Sequence, residues 1–228
     1  LAGSYSAYQA AFKQAGVIEV KSLTELFEVA MAFDFQPLPR GKRAVIITNA
    51  GGPAALASDA LAANGLTLED LEAQTRATLR ARLNPSAQVE NPVDILGGAE
   101  PPDYALCVKT LMGDVHVDAV LPLLVPQALV DTVGVARAIV EESRAGEKTV
   151  LACIQGDVSV KEARLVLHEN RIPMYTQPES FGAVLKAMLD YREWTECPLP
   201  VTTVPAGIDR LAVENRLRSS GGRESLGE

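Results

Sequence analysis

The stretch Ala44-Val-Ile-Ile-Thr48-Asn-Ala-Gly-Gly-Pro53, continued by an Ala/Leu-rich run through Leu61, constrains this chain more than any other. Val45 to Thr48 is a short, continuous, largely β-branched run, the pattern of a strand buried on both faces. Asn49-Ala-Gly51-Gly52-Pro53 breaks it, and a helix is expected from there to about Asn64-Gly65. Pro53 suits the first helical position, where its fixed φ is already helical and its missing N–H costs nothing. Gly51 and Gly52 leave the neighbouring backbone N–H groups without side-chain cover. A strand, a glycine turn and a helix N-terminus together form an anion site, because unpaired N–H groups and the positive end of the helix dipole point the same way. The same pattern also serves as a plain tight connection. Neither Gly-x-Gly-x-x-Gly nor a Gly-Lys-Ser/Thr phosphate loop is present.

The rest of the sequence repeats the strand–helix alternation. Extended segments are expected at Ala44–Asn49, Asn91–Gly98, Asp118–Leu124, Thr149–Ile154 and Ile172–Tyr175. Helices are expected between them, near 53–64, 71–83, 101–112, 130–143 and 158–169, with a last one over 178–193. That alternation predicts an α/β domain over residues 42–194: a flavodoxin-like, doubly wound, five-stranded parallel sheet of order 2-1-3-4-5. Ahead of it, Tyr5, Tyr8 and Phe12 share a helical face that Gly16 ends, and Val17-Ile-Glu-Val20 reads as a strand. Ser22-Leu-Thr-Glu25 opens a second helix through Phe35 as a capping box. A lone strand between two helices cannot satisfy its own backbone. Residues 1–36 are therefore expected to be the end of a neighbouring α/β domain, with 37–41 as linker. Its apolar residues Phe12, Leu26, Phe27, Val29 and Phe33 need cover from that domain or from a second copy. Residues 195–228, rich in Pro, Thr, Ser and Gly, read as linker and tail, with a short helix over Ile208–Leu217.

Composition narrows the partners. A net charge of −8 argues against nucleic acid and against a membrane surface, since both call for basic patches. With 47% apolar but only 5% aromatic residues, the chain suits helices packed over a parallel sheet. No run approaches a membrane span, and no signal peptide precedes Leu1. The first residue is not Met, so an excised piece is expected. Cys107, Cys153 and Cys197 are odd in number, far apart and in no metal-ligand spacing, as in a reduced, cytoplasmic protein. No metal site is expected.

Topology places the site. Ligands of such sheets sit outside the carboxyl ends of the strands where the winding reverses, here between the first and third strands. Asn49, Ala50, Gly51, Gly52 and Pro53 form one side of that crevice, and Val125, Pro126 and Gln127 the other. Asn91 and Asp94 are expected on the same rim as supporting groups. Such a rim stabilises a transferred phosphoryl group but contains no nucleophile.

Thr48-Asn-Ala-Gly-Gly-Pro53, Asn91-Pro-Val-Asp94-Ile-Leu-Gly97, Val117-Asp-Ala-Val120 and Ile172-Pro-Met-Tyr175 resemble, in the same order, the NDP-forming acyl-CoA synthetases. These are also known as ADP-forming acetate–CoA ligases and are relatives of succinyl-CoA synthetase. The resemblance runs nearly to Trp194, and the opening Leu1-Ala-Gly-Ser-Tyr-Ser-Ala-Tyr is similar to the end of the preceding domain in those enzymes. It implies a part of a multidomain acid–thiol ligase that converts acid, CoA and ATP into acyl-CoA, ADP and phosphate through an acyl phosphate and a phosphohistidine. It further implies CoA-binding and ATP-grasp partner domains, with CoA, ATP/ADP and Mg held mainly by those domains, and leaves room for a homodimer. By that resemblance the Asn49–Pro53 turn faces the phosphorylated histidine, and Val125–Gln127 lie where relatives begin a second helix. The family's His-Thr-Gly motif falls just ahead of Leu1, so this piece is expected to be inactive alone. The alternative within the same resemblance is the CoA-sensing, regulatory portion of a protein acetyltransferase.

His116, in a loop, and His168, near a helix end, do not replace that histidine and read as structural. Asp131 is expected in the first turn of its helix, where a carboxylate favours the dipole. Arg76, Arg80 and Arg82 read as a solvated helical face. Ser58 and Thr132 have no basic partner in sequence reach, so a hydrolase triad has little support.

Overall fold

The computed structural model describes residues 4–127, 130–144, 146–197 and 209–219. Residues Leu1–Glu196 group as one compact unit and Cys197–Glu228 as another.

The first unit begins with α1 (Tyr5–Ala15) and α2 (Leu23–Phe35). Gly16 closes α1 in the left-handed conformation at φ 69°, donating its N–H to Phe12. The Ser22 hydroxyl accepts from Glu25 N–H at 3.1 Å, while the Glu25 carboxylate accepts from Lys21 N–H at 2.7 Å. The cap is therefore one residue wider on its return side than a capping box. The strand expected over Val17–Val20 does not form. The segment pairs with no ladder, and Ile18 and Val20 instead pack their side chains against the sheet domain.

The sheet is built from β1 (Ala44–Thr48), β2 (Val93–Asp94), β3 (Ala119–Leu124), β4 (Thr149–Val150), β5 (Ala152–Ile154) and β6 (Met174–Tyr175). All pairings are parallel, in the order β2-β1-β3-β5-β6, with β4 also on β3. β4 and β5 are one strand interrupted at Leu151, whose N–H still reaches Val120 O at 3.2 Å. Counted that way, the order is the expected 2-1-3-4-5. The intervening helices are α3 (Gly51–Ala63), α4 (Ala73–Arg82), α5 (Pro101–Gly113), α6 (Thr132–Ser143), α7 (Lys161–Glu169) and α8 (Ser180–Glu196).

Winding on both faces follows from the pleat. In β1, fully buried, Val45 and Ile47 enter the core shared with α5, α6 and α7, whereas Ala44 and Ile46 enter the core shared with α2, α3 and α8. α2 belongs to that second core: Val29 and Ala32 are buried, and Tyr175 donates its hydroxyl to Glu28 O at 3.2 Å. The Gln36 amide donates to Arg171 O at 2.7 Å and accepts from Val150 N–H at 2.9 Å. Phe33 meets the Tyr191 ring edge-on at 5.3 Å. On the outer face of α2, Leu23, Leu26 and Phe27 stay exposed.

One carboxylate at this seam titrates abnormally. Burial pushes Glu28 above the usual carboxylate range, opposed by the Ser180 hydroxyl, which donates to it at 2.9 Å. A raised acid contributes stability below its unfolded value, here about 4.5, and loses it as pH rises through the folded value. Glu28→Gln, which keeps the acceptor for Ser180, is expected to raise Tm by roughly 1–3 °C at pH 7. Calorimetry checks this, and at pH 4 the two proteins should melt closer together.

In the second unit, α9 (Arg210–Ser219) is capped by Asp209, whose carboxylate accepts from Ala212 N–H at 3.0 Å. The linker expected from residue 195 begins later, because α8 runs to Glu196, and residues 198–208 lie outside the described residues.

Candidate functional site

The carboxyl ends of the strands form a rim, and its centre is the turn from β1 into α3. Thr48, fully buried, folds its hydroxyl onto the turn: Ala50 N–H donates to Oγ1 at 3.0 Å, and Oγ1–H donates to Ala50 O at 2.9 Å. That small ring fixes Ala50 as the N-cap of α3, with no side chain capping the helix. Gly51 and Gly52 are its first two residues, both exposed. The first amides of a helix have no partner inside it. Pro53 therefore sits third rather than first, still within the turn where an N–H is dispensable.

The two glycines are not demanded by the fold. Neither has positive φ, a Cβ at Gly52 meets nothing within 4 Å, and one at Gly51 meets only Asp94 Oδ2 at 3.7 Å. Neither backbone conformation nor packing requires glycine here, and the space in front of the turn is open.

Asn49 brings the other side of the crevice into register. Its side chain, 3% exposed, donates to Val125 O at 2.9 Å and accepts from Val125 N–H at 2.8 Å. The amide acts as one more rung of the β1–β3 ladder, so Asn49 positions the rim and is not a free ligand. Asn49→Ala strands both backbone groups of Val125 and is expected to cost about 2 kcal/mol in urea unfolding.

Val125, Pro126 and Gln127 lie in a loop. α6 starts only at Thr132, and Asp131 caps it by accepting Gly134 N–H at 2.8 Å. The second helix start expected at Val125–Gln127 is thus displaced, and one of its first amides is served by the Asp131 carboxylate. Gln127 lies over Gly97, where a Cβ would meet its Nε2 at 2.5 Å. Beyond it, Gly97, Gly98, Glu100, Pro101, Val130 and Asp131 enclose a depression of about 600 Å³.

Asp94 is on the rim, paired in register with Thr48. One carboxylate oxygen accepts Leu96 N–H at 2.9 Å, shaping a turn in which Leu96 takes φ 69°; the other lies beside Gly51. Asn91 is not on the rim. Its amide donates to Ala44 O at 2.8 Å and accepts from Ile46 N–H at 3.3 Å, at the opposite half of β1. β2 is only two residues long, so the Asn91 side chain replaces the missing strand edge.

The remaining candidates are structural. His116 Nδ1 contacts Asp70 O at 3.2 Å, and the His168 ring packs 5.2 Å from Phe35. Arg76 pairs with Glu90, and Arg80 donates to Pro85 O and Ala87 O. Burial pushes the Cys107 and Cys153 thiols up to about 12, so neither is a thiolate at neutral pH. Among the described residues, no group of three or more His, Cys, Asp or Glu is placed to hold a metal ion, and no helix is long and apolar enough to cross a membrane. Thr48 was missed by sequence reading, although a threonine two residues before a helix cap is a known turn-forming signal.

Comparison with known proteins matches this architecture. The chain is 38% identical over 195 residues to the alpha subunit of ADP-forming acetate–CoA ligase II of Pyrococcus furiosus, covering 83% of this chain and 42% of that one. A crystal structure of a Pyrococcus horikoshii protein superposes with TM-score 0.81 at 37% identity, over 86% of this chain and 46% of the other. The dinucleotide-forming acetyl-coenzyme A synthetase 1 of Candidatus Korarchaeum cryptofilum, solved with phosphate and ADP, superposes with TM-score 0.80 at 30% identity, over 85% and 42%. The chain thus spans less than half the length of these relatives. Residues 44–197, more than half of the chain and the whole of its sheet, match the Ligase-CoA domain, and the chain belongs to that family.

Proposed function

We propose that this chain is the Ligase-CoA portion of an ADP-forming acyl-CoA synthetase, in which the α3 N-terminus receives a phosphorylated histidine carried by another part of the enzyme. The observation that supports it most is the uncapped, exposed Gly51–Gly52 turn at the sheet's reversal point, in a chain similar to acetate–CoA ligases over most of its length. Helix amides preorganised toward an anion stabilise charge without reorganising as it arrives. Asp94 complements them: its Oδ2 beside Gly51 is placed to accept an N–H from the incoming imidazole and so present the other ring nitrogen for transfer.

On this reading, CoA and nucleotide chemistry belong to the CoA-binding and ATP-grasp domains of the complete enzyme. The exposed Leu23, Leu26 and Phe27 stripe supports reading residues 1–36 as the end of a preceding domain that also packs on this one.

The test is the complete synthetase supplied with acyl-CoA, ADP and phosphate. ATP and free acid should form, and acid-labile phosphate should appear on a histidine. Failure with every short acyl-CoA, with no phosphohistidine, would refute the assignment. Asp94→Asn is expected to lower kcat about tenfold with little change in KM, as measured by steady-state ATP formation.

A further inference from the structure

At the amino-terminal end of the sheet, on the side away from the rim, lies a second depression of about 450 Å³. Arg40, Arg43, Met112, Val115, Asp118 and Lys148 are among the residues that line it.

Lys148 differs from every other lysine of the chain. Lys13, Lys21 and Lys161 are exposed, and Lys42, Lys109 and Lys186 pair with Glu193, Glu142 and Asp190. Lys148 is partly buried and forms no ion pair among the described residues. Its Nζ donates instead to Leu111 O at 3.1 Å and to Asp114 O, both at the end of α5. Those two bonds and the bond to Cε occupy three of the four directions about a tetrahedral nitrogen. The fourth carries the third proton of the ammonium or the lone pair of the neutral amine, and no partner among the described residues takes it.

The surroundings favour the neutral amine. Burial pushes Lys148 below its ordinary value of 10.5 and Arg43 adds to the push, while Asp114, Asp118 and Glu72 oppose it. Arg40 and Glu147, the other charged residues of the depression, pair with each other. A lysine desolvated next to another cationic group is an activated nucleophile. Beside it, Met112 and Val115 offer apolar surface to an acyl chain, and the two arginines offer planar donors to phosphate oxygens.

We propose that Lys148 Nζ is an acylation site, taking its acyl group from a thioester whose phosphates meet Arg40 and Arg43. The lone pair attacks the acyl carbonyl carbon; the C–N bond forms, the C–S bond breaks, and the proton shed by nitrogen passes to the departing thiolate. The products are an amide and a thiol. The nucleophile stands on this chain's own geometry, and the choice of a thioester donor rests on reading the chain as part of an acyl-CoA synthetase.

The experiment is incubation of this chain with acetyl-CoA in mildly alkaline buffer, with initial acetylation rates read lysine by lysine by peptide mass spectrometry. Lys148 should react about fivefold faster than Lys13, Lys21 and Lys161, although accessibility alone predicts the reverse order. In the chain unfolded by urea that preference should vanish; its persistence there would assign it to local sequence and overturn the site. Arg40→Gln, a change on the exposed side of the depression, should slow Lys148 about threefold without affecting the exposed lysines. An unchanged rate in that variant overturns the donor's placement. Equal or slower reaction of Lys148 in the folded wild type overturns the proposal, and phosphohistidine formation in the complete enzyme would still uphold the reading of the rim.

Discussion

Replacing Asp118 by alanine is expected to lower the unfolding free energy by about 2 kcal/mol and Tm by roughly 5 °C, measured by urea and thermal unfolding. Asp118 lies at the amino-terminal end of β3, opposite the rim, and is 6% exposed. Its carboxylate accepts Arg43 Nε–H and Nη2–H, both at 2.8 Å, and Arg43 N–H at 3.1 Å. Removing it leaves a guanidinium and a backbone donor unpaired together. Loss of one partner from a fully buried pair costs about 3–5 kcal/mol. Arg43 keeps 34% of its side chain in water, so solvent recovers part of that. The effect also has a pH signature. Burial alone would push Asp118 up, but the Arg43 hydrogen bonds and charge outweigh it and hold the carboxyl below its ordinary value of 3.8. A depressed acid contributes stability above its unfolded pKa and loses it as pH falls through the folded one. The gap between wild type and Asp118→Ala should therefore be full at pH 7 and close as acid protonates the folded carboxyl, below its ordinary value of 3.8.

A second substitution checks the same contact independently. A Cβ at Gly41 would stand 2.5 Å from Asp118 Oδ2, so Gly41→Ala displaces the carboxylate. In the Asp118→Ala background that clash is gone, and Gly41→Ala should then cost little. Strict additivity of the two changes would show that the loss does not run through this carboxylate.

The strand–helix alternation was legible because hydrophobic runs and glycine turns report backbone periodicity directly. β1, β3 and the helices between them emerge where Val45–Thr48 and the corresponding apolar runs place them. What escaped the sequence is settled by side chains acting across long separations. Val17–Val20 has the composition of a strand, yet strand formation depends on a free edge, and its side chains find an apolar helical face instead. Asn91 and Asn49 look alike as rim amides. One replaces a missing rung near the start of β1 and the other adds a rung beyond its end, and only the length of β2 and the position of Val125 separate the two. The double glycine stood out because it sits between a buried strand and a helix start, and the structure places it at the first two residues of α3, exposed, with no packing need for a missing side chain.

In the complete synthetase to which we assign this chain, Gly52→Val should reduce phosphoryl transfer about a hundredfold while leaving the fold as stable as before. The two halves of this expectation come from one geometry. Nothing lies within 4 Å of a Cβ at Gly52, its φ is negative, and it is the second residue of α3, so a side chain enters without strain and removes the flexibility of glycine from the unfolded chain. The same side chain stands in the space through which an anion must approach the exposed helix amides, and loss of one such preorganised donor costs about 10²–10³ in rate. Gly113→Val is the control. Gly113 is likewise exposed with nothing within 4 Å, but it ends α5 at the amino-terminal side of the sheet, away from the rim. Single-turnover decay of the phosphoenzyme with ADP measures the step directly, and Tm measures the fold. A Gly52→Val enzyme that transfers phosphoryl groups at the wild-type rate would mean that no anion approaches α3, however open the turn. Slowed transfer together with a lowered Tm would trace the loss to folding. Only a slow enzyme with an intact fold requires an occupant in front of these amides, because the fold itself has no use for the space.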